Sequence, residues 1–182
     1  MGVEKVFSYT LAKETGVTAD QVRKDFSEYK IKGNKRGGYD INELLEKLEI
    51  IFHRKQDNNI VLVGMGNMGQ ALSKYGKFIQ RHMNIVATFD MDPFKQKIRS
   101  GIPVYSMNRL GEIIKRFSVK VAIVAVPEIS AQEVIDELIN YGIKGIVNFA
   151  PGLLKVPPTV VINNVNLSDE LESVIFYVHQ LN

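Results

Sequence analysis

Hydrophobic and polar residues follow two different patterns along this chain of 182 residues. Up to about residue 55, apolar residues recur every three or four positions, which is typical of amphipathic helices. From about residue 59 onward, short apolar runs alternate with helical patterns, as in a parallel sheet whose strands are joined by helices. The pattern therefore predicts two domains, with residues 53–59 as a polar linker between them.

The first domain, residues 1–54, is predicted to combine short helices with a basic hairpin. Helices are predicted over 9–15, 19–29 and 41–52. Gly16 ends the first of these, and Thr18 can cap the second by accepting from free backbone N–H groups. Two short helices joined by such a turn are typical of a helix-turn-helix. The glycine-rich segment 30–39 then has the composition of a wing.

The second domain, residues 59–166, is predicted to be an α/β fold with a doubly wound parallel sheet. Its strands are predicted over 60–63, 85–89, 104–105, 121–126, 145–149 and 160–162. Its helices are predicted over 67–80, 110–117 and 130–141. The run 121–126 contains no polar residue, which is typical of a parallel strand that is covered on both faces.

The last predicted helix, over 168–181 within the segment 167–182, follows the final strand. Its apolar residues form one stripe, made of Leu171, Val174, Ile175, Val178 and Leu181. Because the sheet is complete before this helix begins, the helix either packs on its own domain or contacts a partner chain.

A glycine-rich turn joins the first strand of the second domain to its first helix. The turn consists of Gly64, Met65, Gly66, Asn67, Met68 and Gly69. Gly64 permits a tight turn, Gly66 lets a pyrophosphate approach the backbone, and Gly69 allows the helix to pack close to the strand. N–H groups at the start of the helix can bind the phosphates. In this strand–turn–helix context the motif predicts a dinucleotide site, although glycines used only for packing would give the same pattern.

Asp90 ends the second strand, ~20 residues beyond the glycines, where an acid binds the ribose hydroxyls of NAD. A carboxylate there repels the 2′-phosphate of NADP, and no arginine follows directly, so the sequence favours NAD(H) as the cofactor. The alternative for Asp90 is a helix cap, a role for which Asp92 before Pro93 is better placed.

Two further strand ends are candidates for the same site. Val126-Pro127 and Asn148-Phe149 lie at the carboxyl ends of predicted strands, where open parallel sheets bind ligands. Ordinary loop chemistry would explain these residues equally well. Both pairs are nevertheless taken as candidate cofactor contacts.

Charge changes the interpretation of the first domain only. The net charge of +3 and a pI near 9.0 do not by themselves indicate a nucleic-acid partner. The segment from Arg23 to Arg36, however, contains six Lys/Arg and two Asp/Glu. A helix followed by a basic wing is typical of a winged-helix DNA-binding domain. A basic surface that is only solvated, and binds no DNA, would give the same sequence pattern.

Composition also excludes several classes of function. Cysteine is absent, which excludes disulfides and thiolate zinc sites and is typical of a cytoplasmic protein. No apolar run approaches the ~20 residues that a membrane helix needs, so we expect no membrane contact. The three histidines lack metal-ligand spacing and lie beside no acid–base partner in the sequence. We therefore expect neither a metal nor a catalytic residue.

Taken together, these motifs resemble the Rex family of bacterial redox-sensing transcriptional repressors over almost the whole chain. The segments that carry the resemblance are 17–27, 35–39, 63–69, 89–93, 142–151 and 164–167. The resemblance implies a homodimer with an N-terminal winged helix, a Rossmann domain and a C-terminal helix swapped onto the partner. It also implies a repressor that binds AT-rich palindromic operator DNA, is released by NADH and thus senses the NADH/NAD⁺ ratio.

The resemblance assigns roles to individual residues of this sequence. It implies that the residues in contact with DNA are Gln21, Arg23, Lys24, Ser27, Lys35 and Arg36. Tyr75 matches a family tyrosine near the nicotinamide. Asn166 stands where the family commonly has an aspartate that belongs to the NADH-sensing switch. The asparagine side chain can still form hydrogen bonds, but it lacks the negative charge of aspartate.

A second departure concerns the N-terminus, because the family usually has an additional helix before the position of Gly2. Two alternatives to the repressor stay open. One is an NAD(H)-binding paralogue with weakened or lost DNA binding. The other is a small NAD-dependent oxidoreductase, against which stand the missing substrate domain and the lack of an evident acid–base group.

Overall fold

The computed structural model describes residues 5–34, 37–52, 57–76, 78, 82–97 and 101–181. The chain divides into two compact units, Met1–Gln56 and Asp57–Asn182. No helix within these described ranges is long and apolar enough to cross a membrane.

The first unit consists of three helices and a two-stranded antiparallel sheet. Its elements are β1 (Lys5–Val6), α1 (Ser8–Thr15), α2 (Ala19–Glu28), β2 (Tyr39–Asp40) and α3 (Ile41–Ile51). The predicted helices are confirmed to within about one residue at each end, and the strand β1 was not predicted.

Local sequence explains where these helices begin and end. Gly16 adopts a left-handed conformation, with φ of 71°, and stops α1. The side chain of Thr18 accepts from the backbone N–H of Gln21 at 3.1 Å and starts α2. Asp40 caps α3 in the same way, by accepting from the N–H groups of Asn42 and Glu43. The helix-turn-helix thus follows from one glycine and one capping threonine.

The core of the first unit is small. Its buried apolar side chains are Ala12, Val22, Ile31 and Leu44. Phe26 packs edge-on against the ring of Tyr39, with ring centroids 4.9 Å apart. The segment between α2 and β2 closes a hairpin, because Asn34 and Gly38 exchange backbone hydrogen bonds of 2.9 and 2.8 Å. This hairpin lies where the sequence predicts a wing.

The second unit contains a six-stranded parallel sheet with helices along it. Its strands are β3 (Asn58–Val63), β4 (Met83–Phe89), β5 (Val104–Tyr105), β6 (Val121–Val124), β7 (Gly145–Asn148) and β8 (Val161–Asn164). Its helices are α4 (Asn67–Ser73), α5 (Leu110–Arg116), α6 (Glu128–Asn140) and α7 (Leu167–Gln180). Short 3₁₀ turns cover Lys95–Lys97 and Met107–Arg109.

The strands lie in the order β5-β4-β3-β6-β7-β8. Numbered along the chain within this unit, that is the 3-2-1-4-5-6 order of the Rossmann fold, and the order reverses between β3 and β6. The predicted doubly wound sheet is therefore confirmed. The centre of the sheet is dry, because Val61, Leu62, Ala122 and Val124 have no exposed surface.

One helix differs from its sequence-based prediction. α4 ends at Ser73, whereas the spacing predicts a helix to residue 80. The hydroxyl of Ser73 donates to the carbonyl of Gln70, and the N–H of Tyr75 then bonds to Leu72, which is a turn and not a continued helix. Residues 77, 79 and 80 of the predicted helix lie outside the described residues.

The last helix has no buried side chain. Every residue of α7 is exposed, including Leu171, Val174, Ile175 and Val178, each of which exposes at least half of its surface. The side chain of Asn166 caps the helix by accepting from the N–H of Ser168 at 3.0 Å. α7 is thus a capped amphipathic helix whose apolar stripe is open in the single chain.

Candidate functional site

A cleft of about 510 Å³ opens at the carboxyl ends of β3, β4 and β6, where the strand order reverses. Ligands of open α/β sheets bind at this position. The cleft is lined by Val63, Gly64, Gly66, Asn67, Met68, Asp90, Met91, Asp92, Lys95, Met107, Ala125, Val126, Pro127, Ser130, Val134 and Phe149. We call this set of residues the cleft.

The three glycines of the turn have different surroundings. Gly64 has φ of 99°, and a Cβ there would lie 2.3 Å from the carbonyl oxygen of Ala125. A Cβ on Gly69 would lie 1.8 Å from the carbonyl oxygen of Gly64. Gly66, in contrast, has no atom within 4 Å of the position that a Cβ would take, and it faces the cleft. Two glycines are therefore required by packing within the fold, and Gly66 leaves open space over its backbone.

Asp90 fixes the shape of the turn as well as one wall of the cleft. Its Oδ2 accepts from the backbone N–H of Met65 at 2.7 Å, and its Oδ1 accepts from the N–H of Asp92 at 2.9 Å. The ammonium of Lys95 lies 3.4 Å from Oδ2. The side chain of Asp90 is 11% exposed and that of Lys95 is 38% exposed, so both reach the cleft. Each carboxylate oxygen accepts two hydrogen bonds, so Oδ1 keeps one acceptor position.

Asp92 has the capping role that the sequence assigns to it. Its carboxylate accepts from the N–H of Phe94 at 2.9 Å, and its carbonyl accepts from the N–H groups of Lys95 and Gln96. These bonds start the 3₁₀ turn that carries Lys95 to the cleft.

Several lining residues were not found from the sequence. They are Val63, Met91, Asp92, Lys95, Met107, Ala125, Ser130 and Val134. Most belong to loops and helices far along the chain from the glycine turn, and only the folded sheet brings them together. Met107 and Val134 also fit apolar core positions in the sequence pattern, so no local signal separates them from the core.

Four predicted cofactor residues do not line the cleft. Met65 and Gly69 are buried beneath the turn. Tyr75 lines a separate hollow of about 490 Å³ and packs edge-on against Phe78, with ring centroids 5.0 Å apart. Asn148 is 1% exposed, and its amide is bonded within the fold. In the single chain, Met65, Gly69 and Asn148 therefore support the site from within the fold, and Tyr75 lies apart from it.

A second hollow of about 300 Å³ adjoins the cleft and shares Met68 and Phe149 with it. Its other wall is the start of α7, including Asn166, the predicted switch residue. Asn166 thus lies beside the cleft, although its side chain is occupied with capping α7.

The first unit presents the predicted DNA-contacting residues on the outside of α2. Gln21, Arg23, Lys24 and Ser27 are all exposed, while Val22 is buried. Lys35 and Arg36 lie outside the described residues.

The guanidinium of Arg23 already has partners within the first unit. It donates to the hydroxyl of Ser8 at 2.9 Å and forms an ion pair with Asp20. Asp20 lies three residues before Arg23 and four before Lys24, so this acid shares the exposed face with both cations. The predicted DNA surface is therefore only partly basic.

Within the described ranges, no group of three or more His, Asp or Glu side chains could hold a metal ion. His82, the histidine of the second unit outside α7, pairs with Asp57 at 3.0 Å on the surface. Neither of these residues lines the cleft.

Two family models match the chain. The model described as "CoA binding domain" matches residues 55–152, and the model described as "Putative DNA-binding protein N-terminus" matches residues 1–27. The redox-sensing transcriptional repressor Rex of Natranaerobius thermophilus is 38% identical over 176 residues, which cover 96% of this chain and 80% of that protein. The chain belongs to the Rex family of redox-sensing transcriptional repressors.

Solved structures of the Rex family agree with this assignment. RSP, a Rex-family repressor, in complex with beta-NAD⁺ and operator DNA has a TM-score of 0.91 at 32% identity. That match covers 98% of this chain and 82% of the RSP chain. RSP in complex with beta-NADH has a TM-score of 0.85 at the same identity and covers 98% and 84% of the two chains. The relatives are transcriptional repressors and not enzymes.

Proposed function

We propose that this protein is a redox-sensing repressor, which binds NAD(H) in the cleft and AT-rich palindromic operator DNA through its first unit, and which NADH releases from that DNA. The observation that carries the proposal is the open backbone of Gly66 beside Asp90, at the point where the strand order reverses. Complexes of RSP with these cofactors and with operator DNA support it.

The cleft fits a dinucleotide in size and chemistry. The space over Gly66 admits a pyrophosphate against the backbone, as the motif requires. The free acceptor position of Asp90 suits a ribose hydroxyl, and Lys95 can donate to the same sugar. Apolar side chains of Met91, Met107 and Val134 surround the adjoining space, where a flat base would be buried. We assign cofactor contacts to these residues together with Gly64, Asn67, Met68, Val126, Pro127 and Phe149.

DNA binding is assigned to the exposed face of α2 and to the hairpin that follows α2. In helix-turn-helix domains the second helix enters the major groove, and a wing contacts the backbone or the minor groove. Gln21, Arg23, Lys24 and Ser27 are the exposed polar residues of that helix taken as DNA contacts. Lys35 and Arg36 complete the assignment from the sequence.

Dimerisation is assigned to α7. A palindromic operator needs two helices that read half-sites, so the repressor must act as a homodimer. An exposed stripe of Leu171, Val174, Ile175 and Val178 is a surface that a second copy of the chain can cover. We further assign the protein to the bacterial cytoplasm, because a repressor acts where the DNA is.

The proposal is tested with the intact protein in two titrations. First, NADH fluorescence is followed as protein is added, with NAD⁺, NADPH and CoA as competitors. We expect NADH and NAD⁺ to bind and CoA not to displace them, because Asp90 offers a carboxylate to an unphosphorylated ribose. Displacement by CoA but not by NAD⁺ would overturn the assignment of the cofactor.

Second, the DNA ligand is selected by the protein from a randomised duplex pool and then used in gel shifts. We expect an AT-rich palindrome whose affinity falls with rising salt and falls further when NADH is added. Selection of no palindrome would support the paralogue without DNA binding, and an affinity that NADH leaves unchanged would remove the sensing function.

A further inference from the structure

Asn148, at the end of β7, is one of two buried polar side chains among the described residues. Its Nδ2 donates to the carbonyl of Ala150 at 2.8 Å and to Oδ1 of Asn164 at 2.9 Å, and its Oδ1 accepts from the N–H of Ala150 at 3.0 Å. Both amide hydrogens are therefore used within the fold. Asn148 cannot donate to a cofactor without breaking one of these bonds.

The partners of Asn148 belong to two different parts of the second unit. Ala150 follows Phe149, which lines both the cleft and the hollow beside it. Asn164 ends β8, and the next residue, Val165, donates its N–H to the carbonyl of Asn148 at 2.8 Å. Asn166 then caps α7. The bond between Asn148 and Asn164 therefore joins the wall of the cleft to the start of α7.

The loop that leaves β7 is also fixed to α6, whose first turns line the cleft. Gln132 accepts from the N–H of Lys155 at 2.9 Å and donates to its carbonyl at 3.0 Å. Gly152 adopts φ of 97°, and a Cβ there would lie 2.9 Å from the carboxylate of Glu128. Because α6 holds the far end of this loop at Lys155, we expect a displacement of Phe149 to act on Asn148, the residue before it.

Because Asn148 is buried, the loss of one of these bonds leaves a polar group without a partner away from water. A donor that loses its partner away from water bears the full cost of desolvation, so intermediate arrangements with a stretched bond are unfavourable. α7, in contrast, has no buried side chain to fix its direction.

We propose that the hydrogen bond between Asn148 and Asn164 is a latch through which occupancy of the cleft sets the position of α7. Both asparagines are positioning residues, since neither lines the cleft. The proposal rests on the function proposed above, in that NADH has to be the occupant. It adds a defined connection from that cofactor to the helix assigned to the dimer.

The latch can be cut at its exposed partner, Asn164. Asn164 is exposed, so Asn164→Ala removes the acceptor and leaves the bonds between Asn148 and Ala150 in place. Asn164→Asp keeps an acceptor at the same position and is the rescue variant. Asn163→Ala is the matched control, because Asn163 is also exposed and its side chain points to the opposite face of β8.

Two measurements are made on each intact variant: NADH affinity by fluorescence, and amide hydrogen exchange over residues 165–171 with and without NADH. In the unmodified protein NADH is expected to change the exchange of this segment. Asn164→Ala should lose that change while its NADH affinity stays within about threefold, because the cleft is untouched. Asn163→Ala and Asn164→Asp should respond like the unmodified protein.

An equal NADH response in Asn164→Ala and Asn163→Ala overturns the latch and leaves NADH binding intact. So does an unmodified protein that binds NADH without any change over 165–171. If no NADH binds at all, the proposed function fails, and the latch is judged by exchange without ligand. Asn164→Ala must then exchange faster over 165–171 than Asn163→Ala, and equal rates overturn it.

Discussion

At the scale of single residues, the glycine turn shows how one residue type serves two purposes. Gly69 is required because the carbonyl of Gly64 occupies the space of a side chain, whereas nothing in the fold occupies the space over Gly66. A methyl group at the two positions therefore has different consequences. The pair separates a glycine that the fold needs from a glycine that a ligand needs.

We predict that Gly66→Ala lowers NADH affinity by about tenfold or more, because the methyl group takes the space of the pyrophosphate. Its thermal stability should change little, since φ of −70° suits alanine. Gly69→Ala should instead destabilise the second unit by about 1–3 kcal/mol through overpacking. Calorimetry and NADH fluorescence on both variants test this, and a reversed pattern would show that Gly66 is structural.

Asp20 provides a second test at this scale. It pairs with Arg23 on the exposed face of α2 and places a negative charge among the proposed DNA contacts. Asp20→Asn should raise affinity for the selected duplex by about fivefold at low salt and steepen its salt dependence. Glu14→Gln, at an exposed position on α1, is the control, and an equal gain there would reduce the effect to net charge.

The sequence identified site residues where residues of suitable chemistry lie within one local motif or at the end of a predicted strand. Gly64, Gly66 and Asp90 stand in one motif or at one strand end, and all three line the cleft. Lys95 and Met107 reach the cleft only through the fold, so no local pattern marks them. The assignment of Asn148 to the cofactor stays a prediction, because a polar residue at a strand end is equally suited to a ligand and to the internal hydrogen bonds that it forms here.

At the scale of elements, the ends of a helix could be predicted where the sequence contains a capping residue. Thr18 and Asp40 fix the starts of α2 and α3 as the sequence indicates. α4 is shorter than predicted, because apolar periodicity continued past the turn that follows Ser73. Tyr75 lies beyond that turn, so the structure places it in a separate hollow. Periodicity thus gave the order of the elements but not every end.

α6 carries a carboxylate whose ionisation opposes folding. Burial, and then repulsion by Glu133, raise the pKa of Glu137. Since the folded state favours the protonated form, stability from this residue is present at low pH and lost as the pH rises through the raised pKa. Glu137→Gln should therefore raise the melting temperature at pH 7 and have no effect below about pH 4.

Calorimetry at the two pH values tests this prediction. Glu133→Gln is the control and should give a smaller gain, because it removes only the repulsion. An equal gain from Glu137→Gln at both pH values would show that the side chain acts through packing and not through its charge.

At the scale of the whole molecule, the stripe on α7 is expected to hold two chains together. Val174 lies in the middle of the stripe and exposes 59% of its surface, while Ser173 points to the other side of the helix. Val174→Lys should convert the dimer to monomers in light scattering, and Ser173→Lys should leave it dimeric. Dissociation by both variants would place the interface on more than this stripe.

The open stripe on α7 has a consequence for the number of repressor molecules in a cell. A 14-residue helix without packing is only marginally stable in water, so the surface that covers α7 supplies most of its order. When that surface belongs to a second copy, mass action makes the order of α7 depend on protein concentration. Repression would then decrease more than proportionally when the number of repressor molecules decreases. The gene dose of the repressor, as well as the redox state, would set the NADH/NAD⁺ ratio at which repression ends.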